Sequence, residues 1–265
     1  MRIGFIGCGN MGGAIIKSMA SLTDEHEILI VGKSQERAKK LAELDGVNIA
    51  DKEKIALECN FIFLGVKPQN MEEVLSEVKD VLAKRKDRFV LVTMAAGLTM
   101  QRIKDLSVEC PVIRIMPNLP VATGEGMTLY CHDGVSEDML KVFLDIMKPS
   151  GSMCLIEEKL IDAGCAVSGC GPAFAFMFAK SLADGGVECG LSREDANLLA
   201  AQMMLGSAKM LLESDKDPEE LKDAVCSPGG ATLMGVKELD ENGFREVTAK
   251  AVVSAYKRTL ELKKQ

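Results

Sequence analysis

"GFIGCGNMGG", residues 4–13, contains Gly7, Gly9 and Gly12 in the spacing Gly-x-Gly-x-x-Gly. An apolar run precedes the turn and a helical pattern follows it, and in this context the spacing indicates a dinucleotide-binding loop. The first glycine permits a tight turn, the second admits a pyrophosphate to the backbone, and the third lets helix and strand pack closely. The stretch therefore predicts a cofactor phosphate at the start of the first helix.

Outward from this turn, apolar runs rich in β-branched residues alternate with helical patterns. The runs are IGFIG, EILIVG, NFIFLGV, RFVLVTMA, PVIRIM and MTLYC. Strands that are apolar on both faces and alternate with helices are typical of a parallel sheet covered on both sides. We therefore predict an α/β fold, with a Rossmann-like, doubly wound parallel sheet in residues 1–160.

Residues 161–265 show no convincing strand pattern and predict an all-helical domain. Within it, "PAFAFMFAKSLADGG" (172–186) alternates Phe with small residues, but Pro172 suits a first helical turn and Gly185-Gly186 a helix stop. No charged residue occurs from Ala163 to Ala179, yet glycines interrupt the run. We predict a helix buried in a core or a subunit interface, and no membrane span.

The composition argues against several classes of protein. The net charge is -7, the basic residues are scattered and Trp is absent, which argues against a nucleic-acid partner. Nine cysteines form no CxxC pair and there are two histidines, so we expect no metal site. No charged leader with a long apolar segment stands at the start, and we expect a cytoplasmic protein with reduced thiols.

The end of the second apolar run bears on the cofactor. NAD enzymes usually place Asp or Glu there, whereas this chain has Lys33 and Ser34, with Arg37 one turn later. Cations and a hydroxyl suit a 2′-phosphate, so we expect NADPH, with NADH as the alternative. Three more turns, GVKPQN (65–70), MAAGLT (94–99) and MPNLP (116–120), fall at strand ends where such sheets bind ligands.

The reaction is suggested by an unusual stretch near the C-terminus. A carbonyl reductase needs a proton donor, but His26 and His132 lie away from the expected site and no Tyr-x-x-x-Lys pair occurs. A protonated imine is already electrophilic and needs mainly a hydride and positioning. "CSPGGAT" (226–232) offers the hydroxyl of Thr232 beside glycine N–H groups that can hold a carboxylate at a helix start. As a purely structural feature, the same stretch is a turn and a cap.

The motifs together resemble those of the pyrroline-5-carboxylate reductase family, over essentially the whole chain. The resemblance rests on these stretches in this order: GFIGCGNMGGAI, FLGVKPQN, MAAGLT, RIMPNLP, LIDAGCAVSGCGPAF, LADGGVECGLSR and LKDAVCSPGGAT. It implies NADPH-dependent reduction of 1-pyrroline-5-carboxylate to L-proline, the last step of proline biosynthesis. It also implies that the helical domain forms a homodimer, with five dimers joining into a decamer in some members.

The resemblance assigns site residues. Those on the cofactor side are Ile6, Gly7, Cys8, Gly9, Asn10, Met11, Gly12, Lys33, Ser34, Val66, Lys67, Pro68, Ala95, Ala96, Gly97 and Asn118. Those on the substrate side are Glu158, Asp223, Ser227, Gly229, Gly230, Ala231 and Thr232, with Thr232 as the catalytic residue that donates to the substrate nitrogen. Cys8 and Cys170 depart mildly from the family, where Ala and Ser are common.

Two other functions fit parts of the pattern. A β-hydroxyacid dehydrogenase or another imine reductase shares the two-domain plan, but the dehydrogenases usually carry a catalytic Lys at the start of the helical domain. Here CAVSGCGPAFAF (165–176) contains no Lys. A non-catalytic NADP sensor needs the glycine loop but has no use for Ser-Pro-Gly-Gly-Ala-Thr.

Overall fold

The computed structural model describes residues 1–20 and 26–262, and an eight-stranded sheet lies at the centre of its N-terminal part. The strands are β1 (Arg2–Ile6), β2 (Glu27–Val31), β3 (Val47–Ile49), β4 (Phe61–Leu64), β5 (Val90–Thr93), β6 (Val112–Met116), β7 (Gly126–Asp133) and β8 (Gly151–Leu155). Their order across the sheet is β3-β2-β1-β4-β5-β6-β7-β8. From β1 the chain moves to β2 on one side and later to β4 on the other, which makes the switch point where such sheets open a ligand crevice.

Neighbouring strands run parallel except β6 and β7, where Ile115 pairs with Tyr130 in antiparallel register. The predicted Rossmann-like fold class is confirmed, and β7 and β8 are the two strands that run opposite to the other six.

Helices cover both faces of the sheet. They are α1 (Asn10–Met19), α2 (Gln35–Leu41), α3 (Lys52–Glu58), α4 (Met71–Lys84), α5 (Met100–Leu106), α6 (Glu137–Met147) and α7 (Ile161–Ser168). Side chains of α1, α2 and α6 pack on the face that carries Phe5 and Phe63, whose rings stack with centroids 4.4 Å apart. Those of α3, α4, α5 and α7 pack on the opposite face, against Ile62 and Leu64. The two faces thus form two layers of core around one sheet.

Three elements were not predicted from the sequence: β3, β8 and α3. Both strands lie at the edges of the sheet and leave apolar residues in solvent, with Ile49 52% and Leu155 60% exposed, so neither reads as a buried strand. The short α3 buries only Ile55 and Ala56 and is capped by Asp51, whose carboxylate accepts a hydrogen bond from the Lys54 amide at 2.6 Å. Two buried residues are too few to show a helical period.

The chain divides into two units, Met1–Gly169 with Tyr256–Gln265, and Cys170–Ala255. The predicted boundary lay between residues 160 and 161. Instead α7 belongs with the sheet, because Ile161 lies in the sheet's core and Gly164 packs so closely on Leu129 that a Cβ there would overlap it.

The second unit is helical. Its helices are α8 (Gly171–Glu188), α9 (Arg193–Glu213), α10 (Pro218–Val225), α11 (Ala231–Glu241) and the first part of α12 (Phe244–Leu262). The predicted helix over PAFAFMFAK is confirmed, but the predicted stop at Gly185-Gly186 is wrong. Gly186 instead lets α9 approach α8, with Ala196 close to the place a Cβ would take, and α8 ends before Gly190 at φ 103°.

Within one chain α8 is not a core helix. Only its Ala183 is buried, while Phe176 and Met177 are 60% and 70% exposed. Of the two predicted surroundings for this helix, a protein core is therefore wrong. By length and composition, one run among the described residues, Glu158–Glu188, is apolar enough to cross a membrane. Helical patterns in the sequence also predict a first helix over MGGAIIKSMASL (11–22) and a last one over FREVTAKAVVSAYKRTLELKK (244–264). Positions 21–22 and 263–264 of these two predictions lie outside the described residues.

The contact between Gly7 and Gly65 generates a stability prediction. A Cβ at Gly65 would overlap the Gly7 carbonyl oxygen, a backbone atom that cannot rotate away. We expect Gly65→Ala to lower the free energy of unfolding by about 1–3 kcal/mol, as overpacking does. The measurement is urea unfolding of the protein without ligand.

Gly13→Ala is the matched control, because a Cβ there would lie 3.8 Å from Leu41 Cδ1, an ordinary contact. It should leave the unfolding midpoint unchanged or raise it, since alanine favours a helix interior. Wild-type stability of Gly65→Ala would contradict the packing argument.

Candidate active site

The glycine loop joins β1 to α1 at the switch point of the sheet. The Gly7 amide donates to the Val31 carbonyl at 2.8 Å, and the Gly65 amide donates to the Ile6 carbonyl at 2.9 Å. Gly7 has φ 106°, which favours glycine, and a Cβ at Gly12 would lie 2.7 Å from the Gly7 oxygen. The loop is thus held from both neighbouring strands and from its own helix.

The first turn of α1 is open to an anion. Gly9 stands at its N-cap, no side chain caps the helix, and no acidic residue lies in its first turn. The first amides of a helix have no partner within the helix, and they carry partial positive charge. A Cβ at Gly9 would come no closer than 3.9 Å to another atom. The backbone at Gly9 therefore has the space and the donors that a phosphate needs.

Cations border this turn on the side of α2. Ser34 caps α2 by accepting from the Arg37 amide at 3.3 Å, and Arg37 Nη1 donates to Asn10 Oδ1 at 3.1 Å. The Arg37 guanidinium is thereby held beside the glycine loop. Arg37 lines a cleft of about 380 Å³ together with Gly9, Lys17 and Lys40. Lys33 is exposed at the end of β2.

A second cleft opens where β4, β5 and β6 end. It measures about 650 Å³, and its wall includes Pro68, Ala96, Gly97 and Met116 from the three strand-end turns, as well as Asp162 of α7. The structure therefore brings Pro68, Ala96 and Gly97 to one cleft. Lys67 is exposed beside them and Val66 is half-buried.

Two predicted cofactor residues point their polar groups at the protein itself. Ala95 is buried, and its amide donates to Thr93 Oγ1 at 3.3 Å. Asn118 is 8% exposed, donates from Nδ2 to the Ser168 carbonyl at 3.0 Å, and accepts at Oδ1 from the Met127 amide at 2.9 Å. Both polar atoms of the Asn118 side chain thus form hydrogen bonds with the backbone. The contact of Asn118 with a cofactor stays a prediction.

Glu158 meets a buried arginine that the sequence reasoning did not single out. Glu158 Oε1 accepts from the Met100 amide at 2.7 Å and from Arg114 Nη1 at 3.2 Å. Arg114 lies in β6 with 1% exposure, and its Nη2 is 3.6 Å from Asp162 Oδ1. The sequence signal was a lone cation inside the apolar run PVIRIM.

In the second unit, the Ser227-Pro-Gly-Gly turn leads into α11. The Gly230 amide donates to the Ser227 carbonyl at 2.9 Å, and Gly229 has φ 71°, which only glycine adopts readily. Gly230 is the N-cap of α11, without a side-chain cap and without an acid in the first turn. Ala231 and Thr232 begin the helix and are exposed. The start of α11 therefore presents free amides and a hydroxyl, as a carboxylate seat requires.

Asp223 lies near the end of α10 and forms an ion pair with Lys222, with 3.0 Å between Oδ1 and Nζ. The carboxylate is largely exposed. Its predicted contact with substrate stays a prediction.

Cys8 lies in the glycine loop but is not a reactive thiol. Burial raises the pKa of Cys8 to about 11, and its Sγ donates to the Val31 carbonyl at 3.5 Å. At neutral pH the thiol stays protonated, and the thiolate is the reactive form. Within residues 1–20 and 26–262, no group of three or more His, Cys, Asp or Glu side chains is placed to hold a metal ion.

Comparison with known proteins covers both halves of the chain. Residues 158–262 match the family model for pyrroline-5-carboxylate reductase dimerisation, and residues 2–97 match the model for coenzyme F420-dependent NADP oxidoreductase. The pyrroline-5-carboxylate reductase of Escherichia coli is 38% identical, over 99% of this chain and 98% of its own length. This chain belongs to the pyrroline-5-carboxylate reductase family. The resemblance identified from the motifs is confirmed.

Solved structures of family members share the fold over nearly the full length. The reductase of Coxiella burnetii superposes with a TM-score of 0.90 at 31% identity, covering 98% of this chain and 97% of its own. The reductase of Plasmodium falciparum, solved with NADP bound, gives a TM-score of 0.84 at 31% identity with the same coverage. The predicted pairing of a Rossmann-like sheet with a helical domain is therefore confirmed, and these two relatives share the fold.

The position of Arg37 generates a prediction about cofactor choice. We expect Arg37→Ala to raise the KM for NADPH about tenfold and to leave the KM for NADH nearly unchanged, because only NADPH carries the 2′-phosphate that a guanidinium binds by charge-assisted hydrogen bonds. Steady-state kinetics with both cofactors measures this.

Lys39→Ala is the control, since Lys39 is an exposed cation on the same helix and is not part of the Arg37 cleft. Equal changes for NADPH and NADH in Arg37→Ala would contradict the assignment, and so would an equal effect of Lys39→Ala.

Proposed function

We propose that this chain reduces 1-pyrroline-5-carboxylate to L-proline with NADPH, as the last step of proline biosynthesis. The observation that carries the proposal is family membership over nearly the whole length, with 38% identity across 99% of the chain. The NADP-bound relative from Plasmodium falciparum supports the same cofactor here. The chain's cysteines among the described residues are free thiols, which suits a reducing cytoplasm.

The first unit holds the cofactor. The amides of the α1 turn at Ile6 to Gly12 take the pyrophosphate, since a helix N-terminus and an uncapped glycine backbone favour anions. Arg37, with Lys33 and Ser34 beside it, takes the 2′-phosphate. The turns that follow β4 and β5, at 66–68 and 95–97, border the nicotinamide ribose. When bound, NADPH supplies a hydride.

The second unit holds the substrate. Amides at the start of α11, with Ser227, Gly229, Gly230 and Ala231 around them, bind the carboxylate of the ring. The Thr232 hydroxyl lies in the first turn of the same helix, one residue after Ala231, and hydrogen-bonds the ring nitrogen. One short segment of chain thus holds both polar groups of the imino acid.

Hydride transfer to a protonated imine does not need a strong general acid from the protein. A hydride adds to C5 and forms a C–H bond, while the π pair of the C=N bond moves to nitrogen, which carries the proton of the iminium form. Charge on the ring nitrogen is neutralised in the step, and the protein's part is to orient the ring and exclude other geometries. This agrees with a site whose assigned catalytic group is a hydroxyl.

We further propose that the chain forms a homodimer through its helical unit, with five dimers as the larger assembly. Residues 158–262 match a dimerisation model, and that unit leaves large apolar side chains in solvent, among them Phe176, Met177 and Leu212. Exposed apolar patches of this kind mark interfaces. A second copy, in place of a membrane, then covers α8. Light scattering decides between a dimer and a decamer from the mass.

The test of the reaction is the loss of NADPH absorbance with 1-pyrroline-5-carboxylate. We expect turnover with this imine, faster with NADPH than with NADH, and L-proline as the product. Turnover with a β-hydroxyacid but not with the imine would indicate a β-hydroxyacid dehydrogenase. NADPH binding without any turnover would indicate a non-catalytic NADP sensor.

Thr232 has its own prediction. We expect Thr232→Ala to lower kcat/KM by about 10²–10³, the usual effect of removing one positioned donor at a reacting group. Thr232→Ser should recover most of the rate, because it keeps the hydroxyl at the same position. Circular dichroism of both variants checks the fold.

The two variants separate the hydroxyl from the rest of the side chain. Wild-type kinetics in Thr232→Ala would remove Thr232 from the mechanism. Equal losses in the alanine and serine variants would assign the effect to the methyl group.

A further inference from the structure

Arg114 is the most deeply buried charge in the described part of the first unit that the proposed reaction does not use. Its exposure is 1%, and its Nε has no hydrogen-bond partner among the described residues. Burial of a guanidinium raises the free energy of the folded state unless the group is paired with an opposite charge. Two carboxylates pair with Arg114, that of Glu158 just before α7 and that of Asp162 in the first turn of α7.

Glu158 links this arginine to the turn that borders the nicotinamide side of the cleft. A single oxygen, Oε1, accepts from Arg114 of β6 and from the Met100 amide at 2.7 Å. Met100 is the first residue of α5, and α5 follows the turn 95–99 directly. Its amide is one that a helix leaves without a partner in its own backbone.

The turn 95–99 is tied at both ends. At its start, the Ala95 amide donates to Thr93 Oγ1. At its end, Thr99 caps α5 by accepting from the Arg102 amide at 3.1 Å, and Glu158 binds the next amide, that of Met100. Between these ties the chain turns at Gly97, with φ 83°, and Ala96 and Gly97 face the cleft. Without the hydrogen bond from the Met100 amide to Glu158, the C-terminal end of the turn 95–99 loses one of its two side-chain contacts.

We propose that Glu158 is a positioning residue for the cofactor, which acts through the Met100 amide and is itself held by Arg114. In this role it sets the turn 95–99 against the nicotinamide and does not contact the imine. The inference rests on the proposed use of NADPH. It differs from the substrate contact that the sequence resemblance assigned to Glu158, and the two roles affect different constants.

The test compares Glu158→Ala and Glu158→Gln with wild type. NADPH affinity is measured by calorimetry without imine, the imine KM is measured at saturating NADPH, and exchange of the Met100 amide with solvent is followed in the free protein. Glu158→Ala should raise the NADPH Kd about tenfold, the usual effect of losing a charge-assisted bond to an amide. Exchange at Met100 should accelerate, and the imine KM should stay at its wild-type value.

Glu158→Gln keeps an oxygen that can accept from the Met100 amide. It should therefore keep the slow exchange and recover most of the NADPH affinity. This variant also keeps the test open if Glu158→Ala fails to fold. Glu157→Gln is the matched control, because Glu157 is an exposed neighbour paired with Lys159, and it should leave every quantity unchanged.

Two results would overturn the inference. A raised imine KM with wild-type NADPH affinity would place Glu158 against the substrate. A lowered melting temperature with wild-type NADPH Kd would make the cluster structural only. If wild-type protein binds no NADPH, the proposed function itself fails, and that is visible before any variant is compared.

Discussion

The carbonyl oxygen of Gly7 is approached from two directions, by Gly12 at the first turn of α1 and by Gly65 after β4. A Cβ at either position would meet this oxygen, so the close approach exists only because both residues are glycine. It sets how near α1 and β4 come to the end of β1. The crevice at the switch point and the open turn at Gly9 lie beside that packing. Arg37 reaches the same turn from α2 through its hydrogen bond to Asn10.

Charge placement follows the same geometry. Near the glycine loop the free groups are helix amides and cations, as an anionic cofactor requires. Deeper in the sheet, on β6, the charges are Arg114 with Glu158 and Asp162, and they tie β6 to α5 and to the entry of α7. One set of charges lies beside the open start of α1, whereas the other ties together the walls of the cleft. In the helical unit the start of α11 is likewise without a side-chain cap.

The sequence predicted what depends on local pattern. Gly7, Gly9 and Gly12 lie within six residues, and the Ser227-Pro-Gly-Gly turn is equally local, so their spacing reveals them. The contact of Gly65 with Gly7, and that of Glu158 with Met100, join residues 58 apart in the chain. No period or motif encodes such a pair. The edge strands β3 and β8 were missed because half-exposed strands lack the apolar runs of the central ones. The prediction of a buried α8 rested on its apolar composition, which does not show which side chains contact solvent in one chain.

In the proposed reaction, a hydride from a cofactor seated on the Gly7 loop reaches C5 of a cyclic imine. The direct measurement uses NADPH that carries deuterium at the transferable position of the nicotinamide C4, followed by mass spectrometry of the product. The expected product is L-proline with one deuterium at C5. Proline without deuterium, formed while labelled NADPH is consumed, would contradict it.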